Sequence, residues 1–105
     1  MADYYLVRLE HGPAWDHSRP IRKQDGWDEH AAFMDSLVDQ GIIILGGPID
    51  EGEETFHILD LDSETAIKQV LAADPWAGDR LRIKSIEPWW VWLRASWVSP
   101  PAFRD

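Results

Sequence analysis

The stretch GIIILGGPIDEGEETFHILDL, residues 41–61, decides the fold. Ile42–Ile49 is rich in β-branched residues and is interrupted by Gly46-Gly47-Pro48. Asp50–Glu54 is an acidic turn, and Thr55–Leu61 is a second β-rich run. Two such runs across one short polar turn form a hairpin. The paired glycines mark a bend, or a place where another group approaches the backbone closely.

Outward from the hairpin, each side carries one helix and one strand. On the N-terminal side, apolar residues fall at Trp27, Ala31, Phe33, Met34, Leu37 and Val38. These steps of three and four predict a helix over Trp27–Gln40. Asp25 and Asp28 supply acid at its start, and Gly41 is a natural stop. Before it, Ala14–Asp25 has no clean period and reads as a loop, with Trp15 as its pin. Tyr4–Glu10 is a strand closed by His11-Gly12-Pro13. On the C-terminal side, Ser63 caps a helix with Ala66, Ile67, Val70 and Leu71 inward, ending before Pro75. Leu81–Glu87 is the last strand.

The order is β-α-β-β-α-β, a ferredoxin-like α+β fold: a four-stranded antiparallel sheet with both helices on one face. The 105 residues make a single domain with a Trp-rich extension over about 88–105. Two helices leave the second sheet face bare, and such a face normally alternates with polar residues. Here Tyr4-Tyr5-Leu6-Val7 and Ile42-Ile43-Ile44-Leu45 are apolar at both parities. The simplest cover is a second copy, sheet against sheet, sealed by Trp89, Trp90, Trp92 and Trp97. The alternative is a tail folded back on its own monomer.

Composition narrows the partners. Seven Trp and 45% hydrophobic residues exclude disorder. A net charge of -9 argues against nucleic acid and against an anionic membrane surface. No run approaches a membrane span. The absence of Cys removes disulfides and thiolate chemistry. Met-Ala-Asp-Tyr-Tyr opens no secretory leader, so a cytoplasmic protein is expected.

Two residues carry candidate chemistry. His30 lies four before Met34 and seven before Leu37, on the apolar stripe of the first helix. Asp74 falls four after Val70 and three after Leu71, which directs a carboxylate inward at the C-terminal end of the second helix, where Pro75 pushes it out of helical geometry. A carboxylate there opposes the helix dipole and calls for a partner such as a histidine. Each also has a plain reading, a structural core His and an exposed turn residue before proline. Together they permit general acid–base catalysis, with the carboxylate orienting the imidazole.

The same residues resemble the YCII-related family. The matching pieces are Tyr4–Glu10, Glu29-His30 followed by Phe33-Met34 and Leu37, the Gly41 stop, Leu45-Gly46-Gly47-Pro48, Asp74-Pro75-Trp76, and Ile86-Glu87-Pro88-Trp89. They span the chain up to about Trp89. The resemblance implies a dimeric α+β barrel of ferredoxin-like subunits and an active site on His30 and Asp74. One characterised branch dehydrochlorinates a chlorinated hydroxyquinol, and the wider superfamily includes lactone isomerases and cofactor-free oxygenases. This sequence departs from the short form of the family in its long Gly12–Trp27 loop and extended tail.

The resulting expectation is a cofactor-independent lyase, dehalogenase or isomerase with no metal, acting on a small cyclic or aromatic molecule. His30 and Asp74 are its catalytic pair. Apolar and Trp side chains, Trp76 among them, hold the substrate, while Arg8 or the Gly46-Gly47 backbone meets its polar group. Arg8 has a competing reading as a strand-end ion pair. His11, Asp16 and His17 are suitable metal-ligand types with His30 but lack a recognised spacing, and His57, isolated in a strand, reads as a structural or edge residue. The alternative function is a non-catalytic, small-molecule-binding or regulatory homodimer using the same pocket.

Overall fold

The computed structural model describes residues 2–101; residues 102–105 of the expected extension lie outside the described residues. The elements are β1 (Tyr4–His11), α1 (Trp27–Asp39), β2 (Ile43–Ile49), β3 (Glu54–Leu59), α2 (Glu64–Leu71) and β4 (Leu81–Trp89). A short 3-10 turn at Ile21–Lys23 interrupts the segment expected to be loop. The four strands form one antiparallel sheet in the order β2-β3-β1-β4, the ferredoxin-like layout that the element order predicts.

Both helix ends follow from local chemistry. Gly41, at φ +75°, lets α1 close with a paired reverse bond: Gly41 N–H donates to Val38 O (3.0 Å) and Ile42 N–H to Leu37 O (2.9 Å). This is the glycine-terminated helix end, which a side chain with a Cβ would strain. At the start of α2, the Ser63 hydroxyl accepts the Ala66 N–H at 3.1 Å. The start of α1 differs from expectation. Gly26, in the left-handed region at φ +77°, occupies the cap position, and no side chain caps it. Asp25 contributes its backbone carbonyl elsewhere.

The core lies between the helices and one sheet face. Val7, Leu59 and Ile67 are fully enclosed, joined by Leu9, Leu37, Ile43, Leu71, Trp76 and Leu81. Each fully buried aliphatic side chain is worth roughly 1.5–3 kcal/mol against exposure.

Strand alternation sorts the other face. The register Leu6↔Ile58, Arg8↔Phe56 and Leu45↔Ile58 puts these side chains opposite the core. Leu45 is 67% exposed. β2 runs unbroken through Gly46-Gly47-Pro48, and its irregularity falls instead between Ile43 and Leu45. Pro48 and Pro88 sit in the two edge strands, where a missing N–H costs no ladder bond. Beyond β4, the tail returns to its own N-terminal strand: Val91 N–H donates to Asp3 Oδ2 (2.8 Å) and Tyr4 O–H to Ser99 O (3.2 Å). Trp92 and Trp97 nevertheless remain 93% and 85% exposed. Among the described residues, no helix is long and apolar enough to cross a membrane.

Candidate active site

His30 projects from the second turn of α1 into the core and is 5% exposed. Its Nδ1 lies 2.9 Å from both Oδ1 and Oδ2 of Asp74, itself 7% exposed. An ionised carboxylate only accepts, so this geometry assigns the proton to Nδ1 and leaves the lone pair on Nε2. Sequence spacing points the two residues at one another, and Pro75 takes Asp74 out of helical geometry as expected. α2 ends at Leu71, and Asp74 occupies a turn rather than the helix face. Pro75 disfavours helical geometry for the residue before it. The Asp74 carbonyl accepts the Ala77 N–H at 2.9 Å to close the turn, and Oδ1 accepts the Trp76 N–H at 2.9 Å. Asp-Pro-Trp is thus a self-bonded turn that fixes the carboxylate.

Trp76 completes the mounting. Its ring stacks on the His30 imidazole with centroids 4.1 Å apart and planes 6° from parallel. Its indole N–H donates to the Asp25 carbonyl at 2.8 Å. Its own carbonyl accepts the Leu81 N–H at 3.0 Å, which ties the turn to the start of β4. Gly26 leaves room for the indole: a Cβ there would stand 3.1 Å from Trp76 Nε1. The imidazole is therefore clamped at one edge by Asp74 and on one face by Trp76.

His30 forms part of the wall of a cavity of about 560 Å³ between α1 and the β2–β3 hairpin. Trp27, Met34 and Val38 continue the α1 wall; Ile43, Gly46, Gly47 and Pro48 come from β2, and Thr55 and His57 from β3. The segment Arg19–Arg22, with His11 and Trp15, closes one side. This volume lies within the usual range for small-molecule sites. Asp74 and Trp76 stand behind His30 and do not line this cavity; Trp76 packs on the imidazole instead. Gly46 and Gly47 do line it. Arg8 does not: alternation gives the core face to Val7 and Leu9, and Arg8 lies on the opposite face. There it pairs with Glu54 at 3.6 Å and sits over the Phe56 ring. Lys84 also bonds Glu54.

The long loop is pinned as Trp15 suggested. Trp15 stacks on His11 at 3.9 Å and meets Trp76 edge-on at 6.0 Å. A buried residue that the sequence did not single out, Gln24, holds the loop from within. Its Nε2 donates to the carbonyls of Asp16 (2.7 Å) and Arg19 (2.9 Å), and its Oε1 accepts the Asp16 N–H (2.9 Å). The Asp16 carboxylate is occupied by Ser18 and Arg19, which hold its pKa down at about 2. Among the described residues, no group of three or more His, Asp or Glu side chains is placed to hold a metal.

His57 is not at a sheet edge: β3 lies between β2 and β1. The register places it beside Gly46 with its ring where a Gly46 Cβ would stand, 2.5 Å from Cδ2. Gly46 is thus the close approach rather than the bend. Burial, with the nearby His30 acting in the same direction, lowers the His57 pKa to about 4, so the ring is neutral at pH 7. The sequence could not reveal this pairing, because it depends on the β2–β3 register. A scan against protein-family models gives no match, and neither does a search of curated proteins.

Proposed function

We propose that the protein is a cofactor-independent acid–base enzyme acting on a small cyclic or aromatic molecule. His30 Nε2 moves the proton and Asp74 is its positioning partner. The observation that carries this reading is a buried imidazole, held at Nδ1 by both oxygens of one carboxylate, on the wall of a mainly apolar cavity. Nε2 accepts a proton from the substrate, and Asp74 stabilises the imidazolium that results. In an elimination, the C–H electron pair forms the new double bond and the leaving group departs as its anion. In an isomerisation, His30 returns the same proton to a different atom. A positioned base of this kind contributes about 10²–10⁴-fold.

The YCII-related resemblance supports the same pair and brings with it a homodimer, a dimeric α+β barrel; the cytoplasmic location stays a separate proposal from the N-terminal sequence. The apolar open sheet face and the outward Trp92 and Trp97 support that assembly. The test begins with mass spectrometry of a ligand carried through purification, followed by turnover of that compound. Wild type converts it and His30→Ala, folded by circular dichroism, does not. Retained turnover in the variant sinks the reading; tight binding without turnover in wild type replaces it with that of a binding homodimer.

A further inference from the structure

Arg8, expected to meet the substrate's polar group, lies outside the cavity, and another arginine stands where that group would be met. Arg19, Arg22 and Lys23 bring three cations into five residues of the long loop, in a chain of net charge -9. Arg19 and Arg22 line the cavity. Arg19 is occupied, by Asp16 at 2.9 Å and Asp25 at 3.3 Å. Arg22 is exposed and has no carboxylate partner among the described residues. Its guanidinium lies over the Trp27 ring, 6.0 Å from the centroid. Trp27 and His30 are three apart on α1, so they share a helix face, and their rings are 5.9 Å apart. Arg22, Trp27 and His30 thus follow one another along one wall. The cavity's acids leave Arg22 alone. Glu54 is bonded by Arg8 and Lys84, and Glu51 makes no ion pair with Arg22. Asp35 stands eight residues beyond Trp27 on α1, about 12 Å along its axis. A cation–π contact seats a guanidinium against a ring but leaves its in-plane N–H donors unused. In a chain with 19 acidic side chains, an arginine left unpaired on a cavity wall points to an acceptor from outside.

We infer that Arg22 is the anion-binding residue of the pocket, and that the ring whose proton His30 moves carries a carboxylate. This rests on the acid–base reading of His30 and names its substrate class: a cyclic or aromatic carboxylate, not a neutral ring. The planar guanidinium fork matches both oxygens of a carboxylate. With the carboxylate at Arg22, the ring lies along Trp27 and its reacting carbon is turned to His30. A small anion without a ring would reach Arg22 but not His30. Arg22 belongs to the long Gly12–Trp27 loop, so that loop selects the substrate.

The experiment reads equilibrium binding, so it does not depend on turnover. Wild type is titrated at neutral pH with 2-naphthoate and with 2-naphthamide, similar in shape but uncharged. About tenfold tighter binding of 2-naphthoate is expected at low salt, the difference one charge-assisted hydrogen bond makes. The ratio shrinks as NaCl is raised to about 0.5 M. Arg22→Gln brings the ratio close to one, and Arg22→Lys keeps part of it. Lys23→Gln removes the same charge from a neighbour that does not line the cavity, and leaves the ratio nearly unchanged. If Arg22→Gln does not fold, the side-chain ¹⁵Nε resonance of Arg22 in wild type serves instead; it shifts with 2-naphthoate and not with 2-naphthamide. Equal binding of the two probes by wild type, an unchanged ratio in folded Arg22→Gln, an equal loss in Lys23→Gln, or an unmoved resonance overturns the inference alone and leaves the His30 reading standing. Failure of both probes to bind removes it together with the pocket reading beneath it.

Discussion

The α1 wall and the β3 floor of one cavity each present a histidine, and they hold it by opposite means. His30 is bonded at Nδ1 to both oxygens of Asp74 and stacked on Trp76. His57 is held by shape alone, its ring laid on Gly46 and its Nδ1 unpartnered. A carboxylate that holds Nδ1 fixes the tautomer of an imidazole; burial without a partner lowers the pKa of His57 to about 4. One fold thus gives a candidate proton carrier and a neutral ring that stays neutral.

The comparison breaks most visibly at His30. His30→Ala is expected to remove turnover, and Asp74→Asn to lower kcat by about 10²–10⁴ through loss of tautomer and orientation, with a smaller change in KM. Equal kcat in Asp74→Asn and wild type, measured on the identified substrate, removes the positioning role. On stability, Asp74→Ala leaves the buried His30 Nδ1–H and the Trp76 N–H without their acceptor and is expected to cost about 1–3 kcal/mol for each unmet donor in urea unfolding.

The His57 side breaks with pH. Its pKa is near 6.5 unfolded and about 4 folded, so between those values the unfolded chain binds the extra proton. Stability contributed by the neutral ring is complete above pH 6.5 and falls as pH drops toward 4, by about 3 kcal/mol. Urea unfolding across that range reads the slope, and folded His57→Phe should lose most of it. An unchanged slope in that variant assigns the pH dependence to other groups. Gly46→Ala sharpens the same point. The added methyl displaces the His57 ring at a cost of about 1–3 kcal/mol. Gly47→Ala, with open space at its Cβ, has a much smaller effect; equal losses at both positions contradict the packing account.

The smallest effect on the fold is expected in the tail. Trp92→Ser with Trp97→Ser removes two side chains that touch almost nothing in the monomer. The circular dichroism should be unchanged, while sedimentation shows weaker self-association than wild type if the tail seals the proposed homodimer. An unaltered dimer would move the interface elsewhere on the open sheet face.

Much of this was legible before any coordinates. The element order, the Gly41 stop, the Ser63 cap and the inward His30 follow from rules that act over three or four residues. Asp74 was legible too, inward at the end of the second helix and pushed out of helical geometry by Pro75; its bond to the Trp76 N–H was not. Arg8 and His57 could not be sorted. Strand alternation says that neighbours face opposite sides, but not which side is the core, and His57 acquires its seat only from Gly46 across the sheet. Gln24 gave no signal at all, because a buried amide looks like any loop glutamine until its three partners are in place.

What the sequence determined by itself is the ferredoxin-like α+β order and the two residues that meet as a dyad. Periodicity, capping and proline placement are local, and local chemistry writes them into the chain directly. What only the tertiary structure decided is the orientation: Nδ1 given to Asp74, Trp76 behind the imidazole instead of in the cavity, Arg8 outside, and Thr55 and His57 inside. Those assignments come from register and packing between segments far apart in the chain, where a shift of one residue moves every side chain of a strand to the other face.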